Sequence, residues 1–285
     1  MKLWEFEELP DFKNLQIAVV GHVEWVTFLK VDALPKAGII SHAQDSFEEA
    51  AGGGAVTAIQ LNNLIPNQVH LITALGKDDT GERSLQRLKE LGIKVSVAWR
   101  DKPTRKGISL VDSNGDRAIT VIGPRLQPLG EDKLPWDQMI NCNGVFITAA
   151  NKTAIKYCRN ASVLVATPRV SIKTLNDSGV KLDALIGSGL DPDEKLIGNE
   201  MNIPPTLRIS TEGELGGQSW PGGRFKTVRL KEPISDAYGC GDSFAAGVTA
   251  GLSAGWEKDK AISLGCHLGA KCATHYGPYA RKDKG

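Results

Sequence analysis

Short apolar runs recur along the chain, with polar stretches of helical period between them. QIAVVG (16–21), VHLITALG (69–76), NGVFIT (143–148), SVLVAT (162–167), LDALIG (182–187) and LRIST (207–211) have the length and continuity of strands buried on both faces. GERSLQRLKEL (81–91), KTAIKYCRN (152–160) and VSIKTLNDS (170–178) fall between them with helical spacing. From Gly241 the pattern is helical through Ala254, and again from about Lys258 to Thr274. Buried strands alternating with helices predict an α/β fold, a mainly parallel central sheet with helices on both faces.

Two stretches break this rhythm. Residues 24–50 hold β-rich pieces joined by a Pro-Lys-Ala-Gly turn, and residues 94–122 read as three strands with an Asn-Gly turn at 114–115. Neither carries a helix to cover a second face. They predict a small sheet projecting from the α/β body, either a lid over a cleft or a plain surface hairpin. No repeat or low-complexity segment divides the chain. Residues 1–285 are therefore expected to form one domain, with lid segments at about 24–50 and 94–122.

Composition narrows the function classes. The chain is 41% hydrophobic and 24% charged with a formal net charge of +1, a soluble globular profile that gives no reason to expect nucleic acid or an anionic membrane as partner. No apolar run approaches the roughly 18 residues that suggest a membrane span. The start, MKLWEFEELPDF, is acidic and lacks an apolar signal core. The five cysteines are odd in number, irregularly spaced and without a C-x-x-C, so a disulfide framework is not expected and the cytoplasm is the natural compartment. Cys266, His267, Cys272 and His275 do not all share one helical face, which favours packing over metal ligation.

The densest chemistry lies in DAYGCGDSFAAG, residues 236–247. Glycines at 239 and 241 let the backbone turn sharply and expose the N–H groups that open a helix, an arrangement suited to a phosphate. Asp242 stands beside that anion site. It is either a simple N-cap or a base that takes a proton from an attacking hydroxyl during phosphoryl transfer. Small residues at 245, 246, 247, 250 and 251 let the following helix lie close to another backbone or a ligand. Cys240 sits in the same turn, where a helix N-terminus lowers a thiol pKa.

DAYGCGDSFAAGVTAGL resembles the C-terminal signature of the ribokinase-like (PfkB) sugar-kinase family, D-T-x-G-A-G-D-x-F, through Asp236, Gly239, Gly241, Asp242 and Phe244. Ala237 and Cys240 replace the usual Thr and Ala. LGKDDTGERSLQRLKELGIKV (75–95) is similar to the family's G-x-D-x-x-G segment, and ISTEGELGG (209–217) to its T-x-G-x-x-G turn. VDALPKAG (31–38) and AGGGAVTA (51–58) fall where the family has its first lid turn and its Gly-Gly substrate loop. The resemblance spans roughly residues 16 to 280.

It implies a three-layer α/β sandwich with a β-sheet lid, phosphorylating a sugar hydroxyl with MgATP. On that basis Asp242 is the base, and Gly239, Cys240 and Gly241 form the anion hole. Thr211, Gly213 and Gly216 lie beside the nucleotide, and Gly52 and Gly53 beside the sugar. ATP and Mg2+ are the expected cofactors, with K+ left open as a third. A homodimer through the lid is a further expectation.

The departures concern the substrate. The family's first strand runs G-x-x-N-x-D, whereas this chain has GHVEWV, with Glu24 at the Asn position and Val26 at the Asp position. Glu24 either binds sugar hydroxyls or is a carboxylate at the base of the lid paired with a lysine. The Gly-Gly loop has Ala51 for its first Gly and Val56 for its Asn. The family's N-x-x-E, set on GSGLDPDEKL, puts Ser188 against Asn and Asp191 against Glu, so Asp191 either orders magnesium or starts a helix. Arg105, Arg125 and Arg169 suit carboxylate or phosphate recognition, or are ordinary surface charges. The expected activity is an ATP-dependent kinase acting on a sugar or sugar derivative. A nucleoside kinase on the same fold and a non-catalytic sugar or nucleotide sensor are the alternatives.

Overall fold

A computed structural model describes residues 4–6, 8, 10, 12, 14–195, 200–229 and 232–280. Parts of the acidic start (residues 1–12) and Leu196 of the GSGLDPDEKL segment lie outside the described residues. The chain runs β1 (Ile17–Val20), β2 (Glu24–Lys30), β3 (Asp45–Ala51), α1 (Gly53–Leu64), β4 (Val69–Gly76), α2 (Asp79–Glu90) and β5 (Lys94–Arg100). It continues through β6 (Lys106–Val111), β7 (Arg117–Ile122), β8 (Gly144–Ile147), α3 (Lys152–Cys158), β9 (Val163–Ala166), α4 (Ile172–Ser178) and β10 (Ala184–Ser188). Then come β11 (Leu207–Thr211), β12 (Gly217–Trp220), β13 (Gly223–Phe225), α5 (Cys240–Ser253) and α6 (Lys258–Cys272).

A nine-stranded sheet has the order β13-β12-β11-β10-β9-β8-β1-β4-β5. Every pairing from β11 to β5 is parallel, and only the β11–β12 and β12–β13 pairings at one edge are antiparallel. Successive residues of β1 show why these strands are apolar throughout. Ile17 and Val19 pack with Ala58, Ile59, Phe244 and Ile262 of α1, α5 and α6, whereas Ala18 and Val20 pack with Ile155 of α3 and Leu175 of α4. Both faces are covered, so neither can be polar. The result is the expected three-layer α/β sandwich.

A separate four-stranded sheet, ordered β3-β2-β6-β7, forms the projection. Its root is held by Val26, Phe28 and Ala51 packing on Val56 of α1 and on Tyr238. The second lid-like stretch contributes less than its sequence suggests. Lys94–Arg100 pairs in parallel with β4 at the edge of the large sheet, and only β6 and β7 join the lid. An edge strand beside a helix is partly exposed, so its pattern resembles that of a lid strand. AGGGAVTA is also more than a loop: from Gly53 onward it is α1, buried at nearly every position and thus without an amphipathic period.

The small residues of α5 have a packing partner. A side chain at Gly247 would meet the Gly265 backbone of α6 at 2.7 Å, and one at Gly251 would meet Ala261 at 2.8 Å. Close helix–helix approach accounts for that pattern, and it brings α5 and α6 together as one layer over the sheet.

Candidate active site

α5 begins at Cys240, and Gly239 before it adopts a left-handed conformation (φ 78°), which favours glycine. The turn is locked from below by Asp236, a fully buried carboxylate. Its Oδ1 accepts from the Tyr238 N–H at 2.9 Å and its Oδ2 from the Gly277 N–H at 3.1 Å. Asp236 thus fixes both the turn and the chain returning after α6. The first N–H groups of α5 lack intrahelical partners and point out of this turn. A side chain at Gly241 would meet nothing within 4 Å, so the space outside the turn is open.

Asp242 occupies the first turn of α5 and is half-buried. Burial pushes its carboxyl up to about 6, against the pull of the Arg169 charge, and Glu194 raises it further. Across from it lies the N-terminus of α1. A Cβ at Gly53 would stand 3.0 Å from Asp242 Oδ1 and 3.3 Å from His22 Cε1, so glycine leaves the space between them clear. β1 delivers His22 to this point because Gly21 and Gly54 carry no side chains; a Cβ on Gly54 would meet Gly21 C at 2.8 Å.

His22 is buried and neutral. Its Nε2 accepts from the Gly53 N–H at 3.3 Å, and its Nδ1 faces Thr148 Oγ1 at 3.3 Å. Burial holds its pKa well below the usual imidazole value, and the charges of Arg125, Arg169 and Arg105 lower it further. Glu24, also buried, pairs through Oε1 with Arg105 Nη1 at 3.3 Å and lies 3.6 Å from His22 Nε2. Burial raises its pKa against the opposing pull of Arg105, Arg169 and Arg125. The lysine pairing that the sequence offered for Glu24 is corrected: its ion-pair partner at the base of the lid is Arg105.

On the other side of Asp242, Arg169 meets Asp191 Oδ2 at 3.2 Å and pairs with Glu194 Oε1 through Nε. Glu194 is 8% exposed and its Oε2 accepts from the Ser188 N–H at 3.1 Å. It is the residue that sequence reasoning passed over. Asp191-Pro192-Asp193-Glu194 carries the same N-x-x-E spacing with Asp in place of Asn, a register three residues later than the one set on Ser188. Among the described residues no group of three or more His, Cys, Asp or Glu side chains could hold a metal ion by itself.

β10 and β11 end side by side, Ser188 in register with Thr211. The chain then turns through Gly213 (φ 58°), which is exposed beside Leu190, and Gly216 (φ 86°), which is buried against the backbone of Phe225 and Lys226. The carboxyl ends of β1, β8, β10 and β11 and the N-termini of α1 and α5 all converge here. In open α/β sheets this is where ligands bind.

The sequence matches the pfkB family of carbohydrate kinases over residues 14–169 and 208–284. The chain belongs to this family. It is 23% identical over 283 residues to an ATP-dependent ribose-1-phosphate kinase of Halopiger xanaduensis, covering 92% of this chain and 93% of that one. A ribokinase of Dictyostelium discoideum is 36% identical over 110 residues, 38% of this chain and 34% of that protein. The crystal structure of a ribokinase from Thermotoga maritima superposes with a TM-score of 0.71 at 20% identity, covering 93% of this chain and 94% of that one.

The protein is thus an ATP-dependent sugar kinase. Within it the fold brings Gly52 and Gly53 to Asp242, and Glu24 to the same cleft by way of His22. Thr211 and Gly213 stand at the end of neighbouring β11, Gly216 is buried in the turn that follows, and Asp191 is tied to Arg169. His22, Thr148 and Glu194 join the kinase's cleft without having been singled out from sequence. Cys240 departs from expectation: the neighbouring Cys272 thiol and burial push its thiol up.

Proposed function

We propose that the kinase transfers the γ-phosphoryl group of ATP to a sugar hydroxyl lying over Gly52 and Gly53, with Asp242 as the proton acceptor. The observation that carries this is the position of Asp242: a carboxylate raised to about 6, at the mouth of α5, facing the glycine gap. A base near neutrality is matched to taking a hydroxyl proton at physiological pH. The hydroxyl oxygen forms the new bond to phosphorus as its proton passes to Asp242 Oδ1. The bond to the β,γ-bridging oxygen breaks, ADP leaves, and Asp242 returns its proton to solvent.

The N–H groups of Gly239 and Gly241, with that of Cys240, which makes only a long 3.4 Å bond to the Ala237 carbonyl, stabilise charge on the transferred phosphoryl group. Thr211 and Gly213 lie beside the nucleotide, and Gly216 shapes the turn behind them. Glu194 and Asp191 are too few to cage a metal, yet they suit magnesium, which is commonly held by one or two carboxylates plus phosphates and water. When bound, magnesium supplies positive charge to the phosphates; Arg169 keeps the two carboxylates aimed at that space. The reading includes action in the cytoplasm, where ATP is available, and K+ as a candidate activator. It also includes pairing of two copies through the lid, whose outer strand β7 exposes Ile119, Val121 and Ile122.

The test is ADP release with Mg2+ and K+ present, over sugars, sugar derivatives and nucleosides. Sugar-dependent ADP supports the reading. Nucleotide and sugar binding without ADP release across the panel would contradict it in favour of a sensor.

A further inference from the structure

The Glu24 side of the cleft carries more positive charge than a neutral sugar would use. Arg105 immediately precedes β6 and Arg125 follows β7, so both stand where the lid meets the body. Arg105 is largely buried and its Nη1 pairs with Glu24, but its Nε is buried without a partner among the described residues. A buried donor left without an acceptor is costly unless a ligand supplies one. Arg125 has no carboxylate partner among the described residues. Its Nη2 donates to the main-chain carbonyl of Arg169 at 2.6 Å, which orients the guanidinium without neutralising it.

Arg169, by contrast, is already matched by Asp191 and Glu194. Two guanidinium charges therefore share the single carboxylate of Glu24. Burial lowers the pKa of Arg125, the Arg105 and Arg169 charges lower it further, and Glu24 opposes this. An anion between Arg105 and Arg125 removes the repulsion and gives Arg105 Nε its acceptor. Guanidinium groups bind phosphate oxygens in paired, planar fashion, and two of them suit a dianion better than a single carboxylate.

Distances along the cleft give the ligand its orientation. Asp242 and His22 flank Gly53, His22 and Glu24 flank Gly52, Glu24 Oε1 lies 3.6 Å from His22 Nε2, and Arg105 Nη1 lies 3.3 Å from the same Glu24 oxygen. A substrate with its accepting hydroxyl at Asp242 presents its other end to the arginines. Resting on the kinase reading above, we infer that the substrate is a sugar already carrying a phosphate ester remote from the accepting hydroxyl, bound through Arg105 and Arg125.

Two readouts test this with a pentose, its 1-phosphate, its 5-phosphate and the corresponding aldonate. In ADP release, one of the sugar phosphates should exceed the neutral pentose in kcat/KM by about a hundredfold, and Arg125→Gln should cut that preference by about tenfold or more. In thermal shift without ATP, the same sugar phosphate should raise Tm, and Arg105→Gln or Arg125→Gln should diminish the rise. Preference for the neutral pentose or the aldonate, or a preference unaltered by Arg125→Gln, would overturn the inference while leaving the kinase reading intact. Arginine-dependent binding without ADP from any compound would instead contradict the kinase reading and keep the anion site. No Tm rise with either sugar phosphate would overturn the anion site directly.

Discussion

Gly53 and Asp242 face each other across a gap that admits no side chain: a Cβ at position 53 would stand 3.0 Å from Asp242 Oδ1. The contact is tight and falls on the atom assigned to take the proton. Gly53→Ala should therefore displace the carboxylate by a few tenths of an ångström while α1, which tolerates alanine, stays formed. The expected result is a fall in kcat/KM of about tenfold or more with Tm nearly unchanged, since small misplacements of reacting groups are costly to rate. Steady-state kinetics together with a thermal melt would check both halves.

The raised carboxyl of Asp242 has two pH signatures. Its ionised form accepts the proton, so activity should fall as pH drops through about 6. Stability runs the other way. A carboxyl raised from 3.8 unfolded to about 6 folded favours the native state while protonated. That contribution is full below the unfolded value and is lost as pH rises through about 6. Asp242→Asn should thus melt higher than the parent above pH 6, the difference vanishing below about pH 4, as a pH series of melting curves would reveal.

Asp236 holds the turn rather than the substrate. Removing its carboxylate leaves the Tyr238 and Gly277 N–H groups buried and unpaired. Asp236→Ala should cost roughly 2–4 kcal/mol of stability. Asp236→Asn, which retains an acceptor oxygen, should cost less. Denaturant titration of the two variants would establish the order.

On the proposed reading Glu194 acts with the magnesium-bound nucleotide. Glu194→Gln should raise the magnesium concentration needed for half-maximal activity and raise the KM for ATP, with a smaller effect on the KM for sugar. Magnesium titrations at fixed ATP would measure it, and chelation should abolish turnover in the parent until magnesium is returned.

How far the sequence alone reaches depends on whether a feature is local. The α5 turn was legible because glycine at 239 and the carboxylate at 242 carry their meaning within a few residues. The strands were legible because burial on both faces, as at Ile17–Val20, leaves continuous apolar runs. Lys94–Arg100 looked like lid because a half-exposed edge strand has the same pattern whichever sheet it joins. α1 was concealed by its glycine-rich entry and by burial all round, which erases the helical period. The small residues of α5 signalled close approach correctly, but their partner is α6. Glu194 escaped notice because an Asp in the Asn position shifted the apparent register of N-x-x-E by three residues. The joining of Arg105 to Glu24, from segments some eighty residues apart, is a product of lid pairing that no local motif records.

The central claim is that Asp242 receives the hydroxyl proton, and Asp242→Asn tests it most directly through single-turnover ADP release alongside ATP binding. The account predicts an enzyme that folds and binds ATP as the parent does, with turnover lower by about a hundredfold to ten-thousandfold. Turnover equal to the parent at the same pH would contradict it.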